Sequence, residues 1–104
     1  MLDQLYELRD RTAVAGFLRM NPGLATLLLA ARDAIDRHFG PGQTVALEVV
    51  SDPETADDQQ LVAWIQTALD APEADRKLGA LDRAWWFDAL AASGGRLCIT
   101  LEFT

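Results

Sequence analysis

Apolar positions recur along this chain with two different periods, and the changes between them lay out its elements. Leu24, Leu27, Leu28, Ala31, Ile35, His38 and Phe39 follow an i, i+3, i+4, i+7 stripe, with Arg32, Asp33, Asp36 and Arg37 on the other side. That is the pattern of an amphipathic helix. Asn21-Pro22 predicts its start, since Asn caps through its side-chain oxygen and Pro suits the first helical position, and Gly40-Pro41-Gly42 predicts its end. From Thr44 to Val50 the period drops to two, with Val45, Leu47 and Val49 set against Ala46, Glu48 and Val50, a strand with one wet face. Leu61 to Thr67 reads as the returning strand of an antiparallel hairpin, joined by the acidic loop Ser51 to Gln59. Asp70-Ala71-Pro72-Glu73 resembles a capping box and opens a further helix that buries Leu78, Leu81 and Trp85. Gly79 and Asp82 are its weak points, and it ends by Ser93, ahead of the Gly94-Gly95 turn. A last strand follows, with Leu97, Ile99, Leu101 and Phe103 alternating with Cys98, Thr100 and Glu102. Upstream, Asp3 to Met20 is imperfectly helical, either one interrupted helix or two short ones, and residues 1–12 are free to fray because so little there must bury.

The order ααββαβ predicts one α+β domain over residues 1–104: two layers, a three-stranded antiparallel sheet in the order 2-1-3 with Thr44–Val50 central, and helices on one face. If Val45, Leu47, Val49, Ile99 and Leu101 point to the core, period two sends Ala46, Glu48, Val50, Cys98 and Thr100 away from it. The phase of the second strand is open. With Leu61, Ala63 and Ile65 inside, Val62 and Trp64 join the far face, and a monomer rarely leaves such a patch bare. Trp64, Val62, Glu48 and Val50 are therefore the candidate interaction site, for a protein partner or a second copy in a homodimer, with Trp64 as anchor.

Composition narrows the partners. The chain has 104 residues, of which 50% are hydrophobic and 24% charged, enough for one core. Sixteen acidic residues against nine basic ones give a net charge of −7, which disfavours nucleic acid, since phosphate binding draws on clustered Lys and Arg. Arg9, Arg11, Arg19, Arg32 and Arg37 lie among acidic residues and read as solvated helix faces. No stretch approaches the roughly 20 apolar residues that span a bilayer, so no membrane is expected. Asp3 and Glu7 do not suit a signal peptide, and the single cysteine, Cys98, excludes an internal disulfide. A cytoplasmic protein fits these features.

Chemistry has few footholds. His38 is the lone histidine and ends the helical stripe, where packing against the negative end of the helix dipole accounts for it. Cys98 alternates with core residues and reads as a structural thiol. Asp52, Glu54, Asp57 and Asp58 could gather a hard cation but lack the order of a calcium loop, so solvated charge is the better reading. Asp82 and Asp88 flank Trp85-Trp86-Phe87. With Glu102 they form the alternative site, Trp86, Asp82, Asp88 and Glu102, where carboxylates beside an indole would bind a small ligand or serve an enzyme. Core aromatics explain the same segment, with Trp85 inside and Trp86 at the margin. Phosphate-loop, GxSxG and HExxH motifs are missing, so no cofactor is implied and an enzyme has no positive support.

The segments NPGLATLLL, LEVVSDP, LDRAWW and GRLCITLEF, in a match that runs from about Phe17 to the end of the chain, resemble a family of small uncharacterised bacterial proteins. The resemblance implies a shared fold and no activity. Two functions remain in view. The first is a non-enzymatic protein-interaction module, the acidic partner of a small bacterial gene pair of the antitoxin or immunity type; the second is the ligand-binding or enzymatic domain around Trp85 and Trp86.

Overall fold

The 3.6-residue stripe forms the long helix that organises everything else. The computed structural model describes residues 2–52 and 55–103. In chain order its elements are α1 (Leu2–Leu5), β1 (Glu7–Leu8), α2 (Arg11–Met20), α3 (Leu24–Phe39), β2 (Val45–Asp52), β3 (Thr55–Thr67), α4 (Ala71–Leu81), a π-helical turn (Asp82–Trp86), α5 (Phe87–Ser93) and β4 (Leu97–Phe103). Leu24, Leu28, Ala31, Ala34, Ile35 and Phe39 form the buried stripe of α3. They join Val45, Leu47, Leu61, Ala63, Ile65, Leu97 and Ile99 of the sheet in one hydrophobic cluster.

The class is α+β, but the sheet is not the expected three-stranded antiparallel one in the order 2-1-3. Four strands lie in the order β1-β2-β3-β4. β2 and β3 form the antiparallel hairpin, whereas β1 runs parallel to β2 and β4 parallel to β3. The physical reason lies in the connections. A helical crossover carries the chain back to the end of the sheet at which the preceding strand entered the pairing, so the strand that follows runs parallel to the one before it. β4 thus enters beside β3, with Leu61 opposite Leu97. The free side of β2 is already taken, with Glu7 opposite Ala46 and Leu8 opposite Leu47.

Other local expectations also shift. The stretch Ser51 to Gln59 is strand on both sides of the hairpin tip, with β2 reaching Asp52 and β3 starting at Thr55, and the register slips between Ser51 and Asp52. Acidic side chains do not exclude extended backbone, since a strand turns its side chains alternately to its two faces. Asn21 does not cap α3; it closes α2, its amide donating to the Phe17 carbonyl at 2.9 Å. Gly23, at φ 103°, makes the turn into α3, a backbone state open to glycine and costly for other residues. Asp70 does cap α4, accepting from the Glu73 N–H at 3.0 Å.

The expected burial of Trp85 is reversed. After Leu81 an α-helix would bring residue 85 back to the core, but the π turn closes i to i+5 and inserts one residue per turn. The buried line then runs Leu81, Trp86, Ala89 and Ser93, and Trp85 is half-buried. Arg32, read as solvated, also differs. Its side chain is largely buried, bonded to the Gln43 carbonyl at 2.5 Å and paired with Asp36 at 3.3 Å. It thereby ties the middle of α3 to the Gly-Pro-Gly turn.

Candidate functional site

Strand periodicity decides what stands on the side of the sheet away from the helices. Leu61, Ala63 and Ile65 are fully buried in the core, so Val62, Trp64 and Gln66 project from the opposite face. Register sets Trp64 beside Ala46 and Thr100, and Val62 beside Glu48 and Cys98. The candidate interaction residues Trp64, Val62, Glu48 and Val50 thus share one face, with Val50 exposed at one end of it.

This face carries a polar network over a small apolar floor. The Trp64 indole N–H donates to Glu48 Oε1 at 3.1 Å, which fixes the ring over the middle of the sheet. Arg9, just after β1, donates to both oxygens of Glu102 on β4, Nη1 to Oε2 at 3.1 Å and Nη2 to Oε1 at 2.5 Å. Since β1 and β4 are opposite edges, the pair reaches across the whole sheet. Gln66 donates to the same Glu102 at 2.9 Å, and Arg9 passes within 3.8 Å of Glu48. Beneath this layer Ala46 is fully buried and Val62 nearly so, although neither belongs to the main core cluster. The arrangement can present an indole and two carboxylates, Glu48 and Glu102, held in place by one guanidinium.

The Arg9 guanidinium, and secondarily Gln66, hold the Glu102 carboxyl below the usual glutamate range. A carboxylate depressed in the folded state contributes stability that is complete above its unfolded titration and is lost as pH falls through the folded one. Glu102→Gln should therefore cost stability at neutral pH, with the gap from wild type closing below the ordinary glutamate value of about 4.3. Urea unfolding of both proteins across pH checks this. A gap unchanged into acid would mean that the pair contributes nothing through charge.

The alternative ligand residues are not brought together. Trp86 is 7% exposed and belongs to the core, whereas Glu102 stands on the far side of the sheet. Trp85 and Trp86 lie ring to ring, 5.9 Å apart at 30°. Asp82, at the start of the π turn, is part-buried with Oδ1 unpartnered, and burial pushes its carboxyl up. Burial, with the Asp82 charge second, likewise raises the Cys98 thiol, which disfavours a reactive thiolate. The side chain of Asp88 lies outside the described residues, as do those of Asp52, Glu54, Asp57 and Asp58. His38 ends α3, where its carbonyl accepts from Lys77 Nζ at 3.4 Å.

Among the described residues no three His, Cys, Asp or Glu side chains converge as metal ligands, and no single helix is long and apolar enough to cross a membrane. No family model, curated protein or solved structure matches this chain. Arg9 is the part of the network that sequence reasoning missed. Its only signal is the short alternation of Tyr6 and Leu8 against Glu7 and Arg9.

Proposed function

We propose that this chain is a protein-interaction module that docks a basic protein on the sheet face turned away from the helices. The observation that carries the reading is the placement of Trp64, half-exposed and fixed by Glu48, beside Val62 and Val50 on one face. An amphipathic ring held in one orientation loses little freedom on binding, which is why Trp is enriched at interface hot spots. The charge around it favours a basic partner: Glu48 and Glu102 pair with Arg9 and Glu7 acts on it through charge, in a chain of net charge −7. The acidic member of a bacterial gene pair, of antitoxin or immunity type, is the biological role that fits such a surface.

Binding through this face has a direct test. Trp64→Ala should weaken the complex with a purified basic partner by about 2 kcal/mol or more, roughly thirtyfold, in titration calorimetry. Its melting temperature should change little, because the ring packs on the sheet's outer face. A wild-type chain that retains no basic protein stoichiometrically, or a variant that binds as tightly as wild type, would count against the reading.

A further inference from the structure

The two carboxylates on the outer face of the sheet differ in what they have left to offer. Both oxygens of Glu102 are engaged, since Arg9 donates to each and Gln66 adds a second bond to Oε1. Glu48 uses only Oε1, which accepts the Trp64 indole N–H at 3.1 Å and lies 3.8 Å from Arg9. Among the described residues nothing donates to its Oε2, and the side chain is 39% exposed. Arg9 does not exhaust the Glu48 charge, because it is hydrogen-bonded to Glu102 and acted on by Glu7 as well. The indole is open too. Ala46 and Val62 share this face with Trp64 and are buried outside the main core cluster, so the outer layer is what covers them. A half-exposed ring in that layer turns one face to the sheet and the other to solvent. Among the described residues the one cation over an aromatic ring is Arg32 over Tyr6, and the one ring pair is Trp85 with Trp86. Neither a cation nor a second ring of the chain itself lies on Trp64.

We propose that Trp64 and Glu48 together receive one arginine side chain of the basic partner, its guanidinium stacked on the outer face of the indole and donating to Glu48 Oε2. The inference rests on the docking face proposed above and names what that face reads. A carboxylate that accepts from the indole N–H stands at the edge of the ring, so a flat cation on the ring reaches the second oxygen without moving either side chain. Arginine suits this arrangement better than lysine. Its planar fork stacks on an aromatic face and donates sideways to a carboxylate at the same time, whereas an ammonium is a compact and strongly hydrated charge. The bond from Trp64 to Glu48 also sets ring and carboxylate relative to each other before anything binds. The loss of freedom on binding then falls mainly on the partner's side chain.

The probe is N-acetylarginine amide, which carries the guanidinium and no other charge, titrated into the isotope-labelled chain while the tryptophan indole N–H resonances are followed. Trp64→Phe identifies the Trp64 signal by its loss. That signal should shift saturably with the arginine probe, respond to N-acetyllysine amide only at clearly higher concentration, and stay in place with the neutral isostere N-acetylcitrulline amide. Glu48→Gln keeps an acceptor oxygen for the indole and removes the charge. It should weaken the arginine response at least about tenfold, the usual loss when a hydrogen bond to a charged group is removed. No saturable shift, an equal response to the lysine or citrulline probe, or a Glu48→Gln chain that binds the arginine probe as well as wild type overturns the proposal. If Trp64→Ala loses a basic partner while the arginine probe gives no shift, the docking face stands and its arginine occupant falls.

Discussion

Trp86→Ala is expected to remove about 3–5 kcal/mol of folding stability, the usual cost of deleting a large aromatic from a packed core, whereas Trp85→Ala should cost clearly less. The difference rests on burial: Trp86 is 7% exposed and joins the central cluster, whereas Trp85 is half-buried and packs against that cluster from its margin. Since small domains are stable by only about 5–15 kcal/mol, the Trp86 variant should be visibly marginal. Trp86→Phe, which keeps part of the ring volume, should fall between it and wild type. Urea unfolding of the three variants reads the order directly. If Trp85→Ala were the costlier change, the π turn would be misplaced and the helix would run through with α-helical phase.

That comparison shows where local pattern stops informing on structure. The stripe of α3 and the faces of β2, β3 and β4 follow from periods that any short window displays. Leu61, Ala63 and Ile65 bury together because alternation leaves no other choice once one of them is inside. A single inserted residue, by contrast, moves the buried position from 85 to 86, and nothing in the composition of LDRAWW announces it. Strand order was hidden for a different reason. Leu97 to Phe103 reads as a strand wherever it is placed, and only the helical crossover decides that it pairs with β3 in parallel. The site divides in the same way. Glu48, Val50, Val62 and Trp64 could be grouped from alternation, but the bond from Arg9 to Glu102 joins residues 93 positions apart, one of them in a segment expected to fray.

That N-terminal segment gives the second large effect: Tyr6→Ala should cost about 3–5 kcal/mol, and Tyr6→Phe only about 1 kcal/mol. Tyr6 is 3% exposed, its hydroxyl donates to the Leu28 carbonyl at 2.6 Å, and the Arg32 guanidinium lies 5.9 Å from the ring centroid. Burial holds the phenol in its neutral form, pushing its titration well above the ordinary tyrosine range, with Arg32 opposing the shift. The ring thus links β1 to the middle of α3, and removing it opens a cavity that only undocking of the N-terminal residues could relieve. Phenylalanine keeps the volume and forfeits one hydrogen bond. The Leu28 carbonyl lies inside α3 and keeps its helical partner, so no acceptor is stranded by that change. Undocking would also release Arg9 from Glu102, so Tyr6→Ala should make the chain before Met20 sensitive to limited proteolysis under conditions where Tyr6→Phe stays intact. Equal denaturation midpoints for the two variants would mean that residues 1–12 fray as local pattern alone implies, and that neither β1 nor the Arg9 bridge holds the sheet's outer face together.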